Sequence, residues 1–421
     1  MKKVLHLNAS SGGGAFVVAQ RLHEAVQASG EMQSSHLVFT GQPGNYTLWS
    51  DSSLKKAVSF GLHALEKLDF LRFEKSKAQR FAFSHGRTGI SLSEHPLFKE
   101  ADLLHIHWLN KGFVSLAGLE AALRSGKPVL WTCHDMWPFT GGCYHNRGCN
   151  NYQVACGNCQ YLRQPKPNDL SHRVFLKKQQ LNLNYSNLHY VTPSHWLADI
   201  GAASGVGLRE KPQVIPNGID TTRFAPDTKI QRQQSERRHQ TGRLKVLFVA
   251  SNLSNRYKGF REFCAIVQAA VQQGIPIDFT VVGGRQPEDV SVAGFPIQFL
   301  PAVGTPEALI ALYREHDAYI TTSLEENLPT TVIESIACGT PVLAYNVGGM
   351  ADIISEGKEG YLFPLQAVEA VVTRLAALYS ADAAAWVELQ NACRAKAVQV
   401  FEQQVVTAAY LDTYKRLLAT E

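Results

Sequence analysis

The strongest constraint in this sequence is an alternation of short apolar strands and helical stretches that runs twice. In the front half, VLHLN (Val4–Asn8), SSHLVFT, DLLHIHW (Asp102–Trp108), PVLWTCHD (Pro128–Asp135) and LHYVTPS (Leu188–Ser194) read as strands. Helical patterns lie between them, the first carrying Val17, Val18, Ala19, Leu22 and Ala25. The rhythm stops over residues 221–243, which are polar, basic and nearly without apolar side chains. It resumes with KVLFVAS, IDFTVVGG, IQFL, AYITTS and PVLAYN. Strands that alternate with helices pair in parallel, with helices covering both faces of the sheet. The expected fold is therefore α/β, with two doubly wound, Rossmann-like domains in tandem over 1–220 and 244–400. Residues 221–243 are expected as a linker or exposed loop. Residues 401–421 are expected as a helix that packs back on the first domain. Two insertions, near 53–87 and 141–160, interrupt that domain. Paired domains of this kind bind ligands at the carboxyl ends of their strands, in the cleft between them.

Composition bounds the partners. An apolar fraction of 45% and a charged fraction of 18% over 421 residues describe a globular chain with ample core. The net charge of +5 fits an anionic ligand or membrane surface and is too weak to argue for nucleic acid. MKKVLHLN reads as a first strand rather than a signal peptide, and no window approaches the ~18 uninterrupted apolar residues of a membrane span. A cytoplasmic place is expected, with the inner face of the cytoplasmic membrane open. Residues 53–87 hold eight Lys or Arg against three acids, interleaved with Phe and Leu. They read as a helix pair with a solvated basic face, or as an interfacial helix resting on anionic lipid.

The stretch SLEENLPTTVIESIACGTPV (Ser323–Val342) carries the clearest site. Proline at 329 suits a first helical turn, Val332, Ile333, Ile336 and Ala337 form an apolar stripe, and Gly339 stops the helix. Such a helix start binds anions through its N–H groups. Glu334 and Glu326 cannot bind phosphate, so they are expected to bind hydroxyls of a ribose and a sugar. Here the sequence resembles the retaining glycosyltransferases of family 4, which have the GT-B fold of two domains facing across a cleft. Their E-x7-E appears as Glu326 and Glu334, followed by Ala337-Cys-Gly-Thr-Pro341-Val342 and Gly348-Gly349. PNGID (Pro216–Asp220) with Phe224, the Lys258–Phe260 KGF, Val281–Gly284 and Pro193–Trp196 extend the likeness over nearly the whole chain. The resemblance implies that Glu334 holds the donor ribose, Glu326 the transferred sugar, the amides of Leu328 and Thr330 the diphosphate, and Lys258 the leaving group. The family's Arg five residues before that Lys is replaced here by the Asn252-Leu253 segment, and Arg256 is the expected substitute.

The SSGGGAF loop after the first strand lets backbone approach a ligand, and Gly13 and Gly14 are the candidates for donor or acceptor contact. It is not a dinucleotide fingerprint. His134 matches the family's histidine facing the transferred sugar. Asp135 either binds an acceptor hydroxyl or caps the next segment. Alternation puts His105 and His107 on one strand face, as core or supporting histidines. Cys143, Cys149, Cys156 and Cys159 form C-x5-C-x6-C-x2-C, a set able to hold a structural zinc, to form disulfides, or to remain free thiols. They are expected to brace a lid near the acceptor. No cofactor is expected for catalysis. The reading is a retaining transferase that moves a sugar from a nucleotide diphosphate sugar to a glycan or lipid-linked acceptor in bacterial surface-polysaccharide synthesis. Peripheral contact with anionic membrane is open. Its competitors are a nucleotide-sugar epimerase of related architecture and a non-enzymatic, zinc-braced module that binds glycan or membrane.

Overall fold

The computed structural model describes residues 1–284, 287 and 294–419. The chain divides into two compact units, Met1–Gly218 together with the segment from Val406 onward, and Ile219–Val405.

The first unit is built on seven strands: β1 (Lys3–Ser10), β2 (Gln33–Thr40), β3 (Thr47–Leu48), β4 (Leu103–Trp108), β5 (Val129–Thr132), β6 (Leu188–Thr192) and β7 (Gln213–Val214). They lie in the order β3-β2-β1-β4-β5-β6-β7, and every pairing is parallel. The second unit holds β8 (Leu244–Ala250), β9 (Ile277–Gly283), β10 (Ile297–Leu300), β11 (Ala318–Thr321), β12 (Val342–Tyr345) and β13 (Gly360–Phe363). Their order is β10-β9-β8-β11-β12-β13, again parallel throughout. Central strands such as Ala318–Thr321 and Val342–Tyr345 are buried along their whole length. That explains why they read as continuous apolar runs rather than alternating ones. Each sheet has one point where the strand order reverses, between β1 and β4 and between β8 and β11. Loops leaving those strands at their carboxyl ends diverge and open a crevice for a ligand.

Two departures from the sequence expectations have physical reasons. Residues 228–241, expected within a linker or exposed loop, form the helix Thr228–Thr241. It has no apolar stripe, and it docks through polar groups instead. Arg237 and Arg238 both reach the fully buried Asp317, and Gln234 donates to the carbonyls of Arg314 and His316 at 2.8 and 2.7 Å. The 53–87 insertion is one long helix, Ser53–Leu71, with a short turn at Lys77–Gln79, rather than a helix pair.

The last helix, Gln403–Ala419, lays Val406, Tyr410, Leu411, Tyr414 and Leu417 into a cluster with Val4, Leu22, Leu103 and Leu130 of the first unit. Of the 401–421 segment, residues 420 and 421 lie outside the described residues. No described helix is long and apolar enough to cross a membrane.

Candidate active site

In the second unit the site grows from the crevice between β8 and β11. After β8 the chain makes a short turn, Arg256–Lys258, ended by Gly259 in left-handed backbone (φ 73°). A Cβ at Gly259 would sit 1.8 Å from the Thr322 carbonyl oxygen, so backbone lies directly on backbone there. The Thr322 hydroxyl donates to the Gly259 carbonyl at 2.7 Å, and the Leu324 N–H donates to the Tyr257 carbonyl at 2.9 Å. This stitching of two loops brings Lys258 Nζ to 2.7 Å from Glu326 Oε1. The other side of the Glu326 loop is held the same way. Gly348 (φ 58°) would place a Cβ 1.8 Å from the Glu326 carbonyl, and the Gly349 N–H donates to Asn327 O at 2.7 Å.

The helix Thr330–Ala337 starts directly after Pro329 and has no side-chain cap. First-turn N–H groups of a helix lack intrahelical acceptors and carry partial positive charge. Leu328 is buried by its side chain, which keeps its backbone on the rim of this helix start. Val332, Ile333, Ile336 and Ala337 enter the core, and Glu334 is itself only 5% exposed. An acid at that depth needs polar partners. Arg256, the expected substitute, pairs with Glu262 at 2.7 Å, as Lys258 does with Glu326. Asn252 accepts the Ser254 N–H at 2.9 Å and shapes the turn.

In the first unit, Gly13 is left-handed (φ 88°) and begins the helix Gly14–Ser29. A Cβ at Gly12, Gly13 or Gly14 would meet no atom within 4 Å, so only the backbone angle at Gly13 demands glycine. His134 and Asp135 follow β5. His134 Nε2 lies 3.2 Å from His107 Nδ1, and His107 Nε2 lies 3.0 Å from His6 Nδ1. His105, in register with His6 across β1 and β4, bonds Tyr414 at 2.6 Å and Thr132 at 2.7 Å. Among the described residues, His6, His105 and His107 are the group whose ligand atoms all lie within 4.8 Å of one another. Their nitrogens are already engaged by one another, by Tyr414 and by Thr132, apart from the orphaned His6 Nε2. That pattern is a relay of neutral rings behind His134. Burial pushes the His134 pKa down to about 4 and those of His6, His105 and His107 well below the usual value.

Asp135 takes the capping role: its Oδ1 accepts the Trp137 N–H at 2.7 Å, and burial raises its pKa to about 7. Two residues escaped the sequence reading. His6 carried only the signal of one polar side chain inside the apolar run VLHLN, and its pairing with His105 is set by strand register. Lys178 carried none. Its ammonium is fully buried, donates to the carbonyls of Trp137 and Thr140, and stacks 3.5 Å from the Trp137 ring centroid. Desolvation pulls its pKa down to about 7.

Cys143, Cys149, Cys156 and Cys159 line one cavity of about 20 Å³ together with Phe83, Tyr152 and Tyr161. All four are free thiols. Their lobe was expected to brace a lid. It pairs with the 53–87 insertion through the Phe83–Cys143 and Glu74–Leu162 bridges.

Two parallel sheets with this strand order form the GT-B architecture, with a cation and an acid paired at the second crevice beside a helix start. The family model described as Glycosyltransferase Family 4 matches residues 47–223, and that described as Glycosyl transferases group 1 matches residues 243–381. The chain belongs to glycosyltransferase family 4. It is 24% identical to a protein named for colanic acid biosynthesis, the glycosyl transferase WcaC of Escherichia coli (strain K12), over 82% of this chain and 83% of that one. It is 27% identical to the D-inositol 3-phosphate glycosyltransferase of Arthrobacter sp. (strain FB24), over 62% of this chain and 58% of the relative. The fold is shared with Anabaena HepE, solved with UDP-glucose (TM-score 0.64, 14% identity, 99% and 100% coverage). It is shared equally with the sucrose-phosphate synthase of Thermosynechococcus elongatus (TM-score 0.65, 17% identity, 100% of both chains).

Proposed function

We propose that this glycosyltransferase moves a hexose-type sugar from a nucleotide diphosphate sugar to an acceptor hydroxyl with retention at the anomeric carbon. The observation that carries the reading is Lys258 at 2.7 Å from Glu326, beside the uncapped start of the helix that buries Glu334. A diphosphate at that helix start would take Lys258 from Glu326, leaving the Glu326 carboxylate to accept sugar hydroxyls. Glu334 would hold the ribose, and the amides of Leu328 and Thr330 the phosphates. By the family resemblance, His134 would face the transferred sugar, and Gly13 and Gly14 the donor or acceptor. The departing diphosphate gathers charge as the bond breaks, and the fixed dipole and ammonium are worth most at that moment. The leaving phosphate would take the acceptor's proton, so the scheme needs no enzymatic base. The UDP-glucose in Anabaena HepE supports the donor class. The name of the Escherichia coli relative supports an acceptor in polysaccharide synthesis, and peripheral membrane contact is proposed from the basic, Phe- and Leu-rich segment 53–87.

The test is saturation-transfer NMR against UDP-, GDP- and ADP-sugars, repeated with Glu334→Ala. Selective binding of one nucleotide that the variant loses is the expected result, and proton NMR of the product then reads the anomer. A folded protein that binds none of these donors overturns the reading. Conversion of the donor to its epimer without acceptor favours an epimerase instead.

The four cysteines are proposed to hold a structural zinc, which would have to draw their sulfurs together, because no three of them lie within 4.8 Å of one another. Their shared cavity is about one ion or water in size, and the Gly141 N–H points to Cys156 Sγ at 3.1 Å. Burial pushes Cys143, Cys156 and Cys159 up to about 12, so a dication would have to displace their protons. Metal content of the purified protein, with thiol counting after alkylation, separates the outcomes. Stoichiometric zinc supports the site, and metal-free protein rejects it, whether two cross-links leave four of the eight cysteines to alkylate or all eight alkylate.

A further inference from the structure

We propose that the Ser53–Leu71 helix and the basic chain after it form the surface by which this protein docks on an anionic lipid bilayer. The inference deepens the membrane part of the proposed function, and its test needs no transferase activity.

The helix is turned the wrong way round for a water-facing element. It buries Ser59, Glu66 and Phe70 against the first unit. The Glu66 carboxylate accepts the Ser84 hydroxyl inside. Outside, Leu54, Val58, Leu65 and Leu68 follow one another at helical spacing, and Phe60 stands about a third of a turn away, all between 40% and 75% exposed. Phe81, 68% exposed, lies near Lys67 on the Phe60 side of the helix, with Lys67 Nζ 5.2 Å from its ring centroid. An amphipathic helix normally directs its leucines inward and its acids outward. Leu62 and Phe70 do turn inward, but the stripe of Leu54, Val58, Leu65 and Leu68 stays open, and exposed apolar side chains grouped on one helix face mark an interaction surface.

Charge selects the occupant. Residues 53–87 hold eight basic side chains against three acids, which equals the whole chain's excess of five, so the rest of the sequence is neutral on balance. Two of the three acids, Glu66 and Glu74, are turned inward, while Lys56, Lys75 and Lys77 are exposed. A second copy of the chain would cover the leucines but would bring two strongly positive segments face to face. An anionic bilayer covers the leucines with its acyl boundary and meets the lysines with its headgroups. The cysteine lobe keeps the surface in place. Lys75 N–H donates to Tyr161 O at 3.0 Å, and Arg163 N–H donates to Phe73 O at 2.7 Å.

Flotation of the full chain with vesicles decides the matter. Vesicles of roughly one-third phosphatidylglycerol in phosphatidylcholine should carry the protein, at least about tenfold better than pure phosphatidylcholine, and added salt should release it. Leu65→Gln with Leu68→Gln should lower binding about tenfold, and so should Lys56→Glu with Lys77→Glu. Both variants should keep the melting temperature, because the changed side chains are exposed. Nucleotide binding measured on the same samples separates this result from failure of the donor site, and Glu334→Ala should still float. Wild-type protein that does not float with the anionic vesicles overturns the proposal. So does a leucine variant that floats as well as wild type. A dimer that the leucine variant dissociates, without vesicle binding, assigns the face to a second copy.

Discussion

Lys258 and Glu326 stand 68 positions apart and meet because glycine lets backbone touch backbone on both sides of the Glu326 loop. Gly348→Ala is therefore expected to cost more than about 1 kcal/mol from left-handed strain alone. It should also weaken nucleotide binding, which calorimetric titration and thermal melting would show together. Lys258→Ala should lower the turnover rate roughly a hundredfold to a thousandfold, the usual effect of removing one fixed positive group from developing charge. Steady-state kinetics with the donor identified by NMR checks this. The histidines supply a pH prediction. His134, His107, His105 and His6 have folded values depressed by burial, with His134 at about 4. Below the unfolded value near 6.5 the unfolded chain binds protons that the folded chain refuses, so stability falls as pH drops from about 6.5. The rings are bonded to one another and titrate as a group, so the loss steepens as pH falls further below 6.5. Urea titrations at pH 7 and 5.5 should show the loss, and His6→Phe should reduce it. E-x7-E was legible because it is a local pattern on one loop and helix. The relay behind His134 was not, because it is assembled across three strands.

At the scale of elements, apolar rhythm exposed the strands and most helices but missed Thr228–Thr241, whose anchors are arginines. Asp317 is fully buried between Arg237 and Arg238, with the Lys245 N–H at 2.7 Å. Replacing both arginines by alanine leaves a buried carboxylate without its cations. It should cost about 3–5 kcal/mol, readable as a large fall in the denaturation midpoint. Lys178 shows the same limit. Nothing in LSHRVFLKKQQLNLN marks which lysine turns inward. Position 178 does so because the helix Leu170–Asn184 packs against the Trp137–Thr140 turn, whose carbonyls need donors.

For the whole molecule, the last helix is the informative element. Tyr414 and Tyr410 reach His105 and Thr132 through hydrogen bonds that link sequence positions roughly three hundred apart, at 2.6 and 3.0 Å. Deleting residues from 406 onward would open the core cluster around Val4, Leu22, Leu103 and Leu130. Calorimetry of the truncated chain should show a first-unit transition lowered or lost, while the second unit, Ile219–Val405, keeps its own. Periodicity by itself determined the two parallel-sheet domains, since a doubly covered strand must be apolar along its length. The short motifs around Glu326, Glu334 and Lys258 determined the family. Tertiary structure alone decided which charged groups are spent inside, at Lys178, Asp317 and Glu66, and which leucines remain outside. Those choices depend on partners distant in sequence, and an isolated stretch carries no record of the neighbour that will cover it.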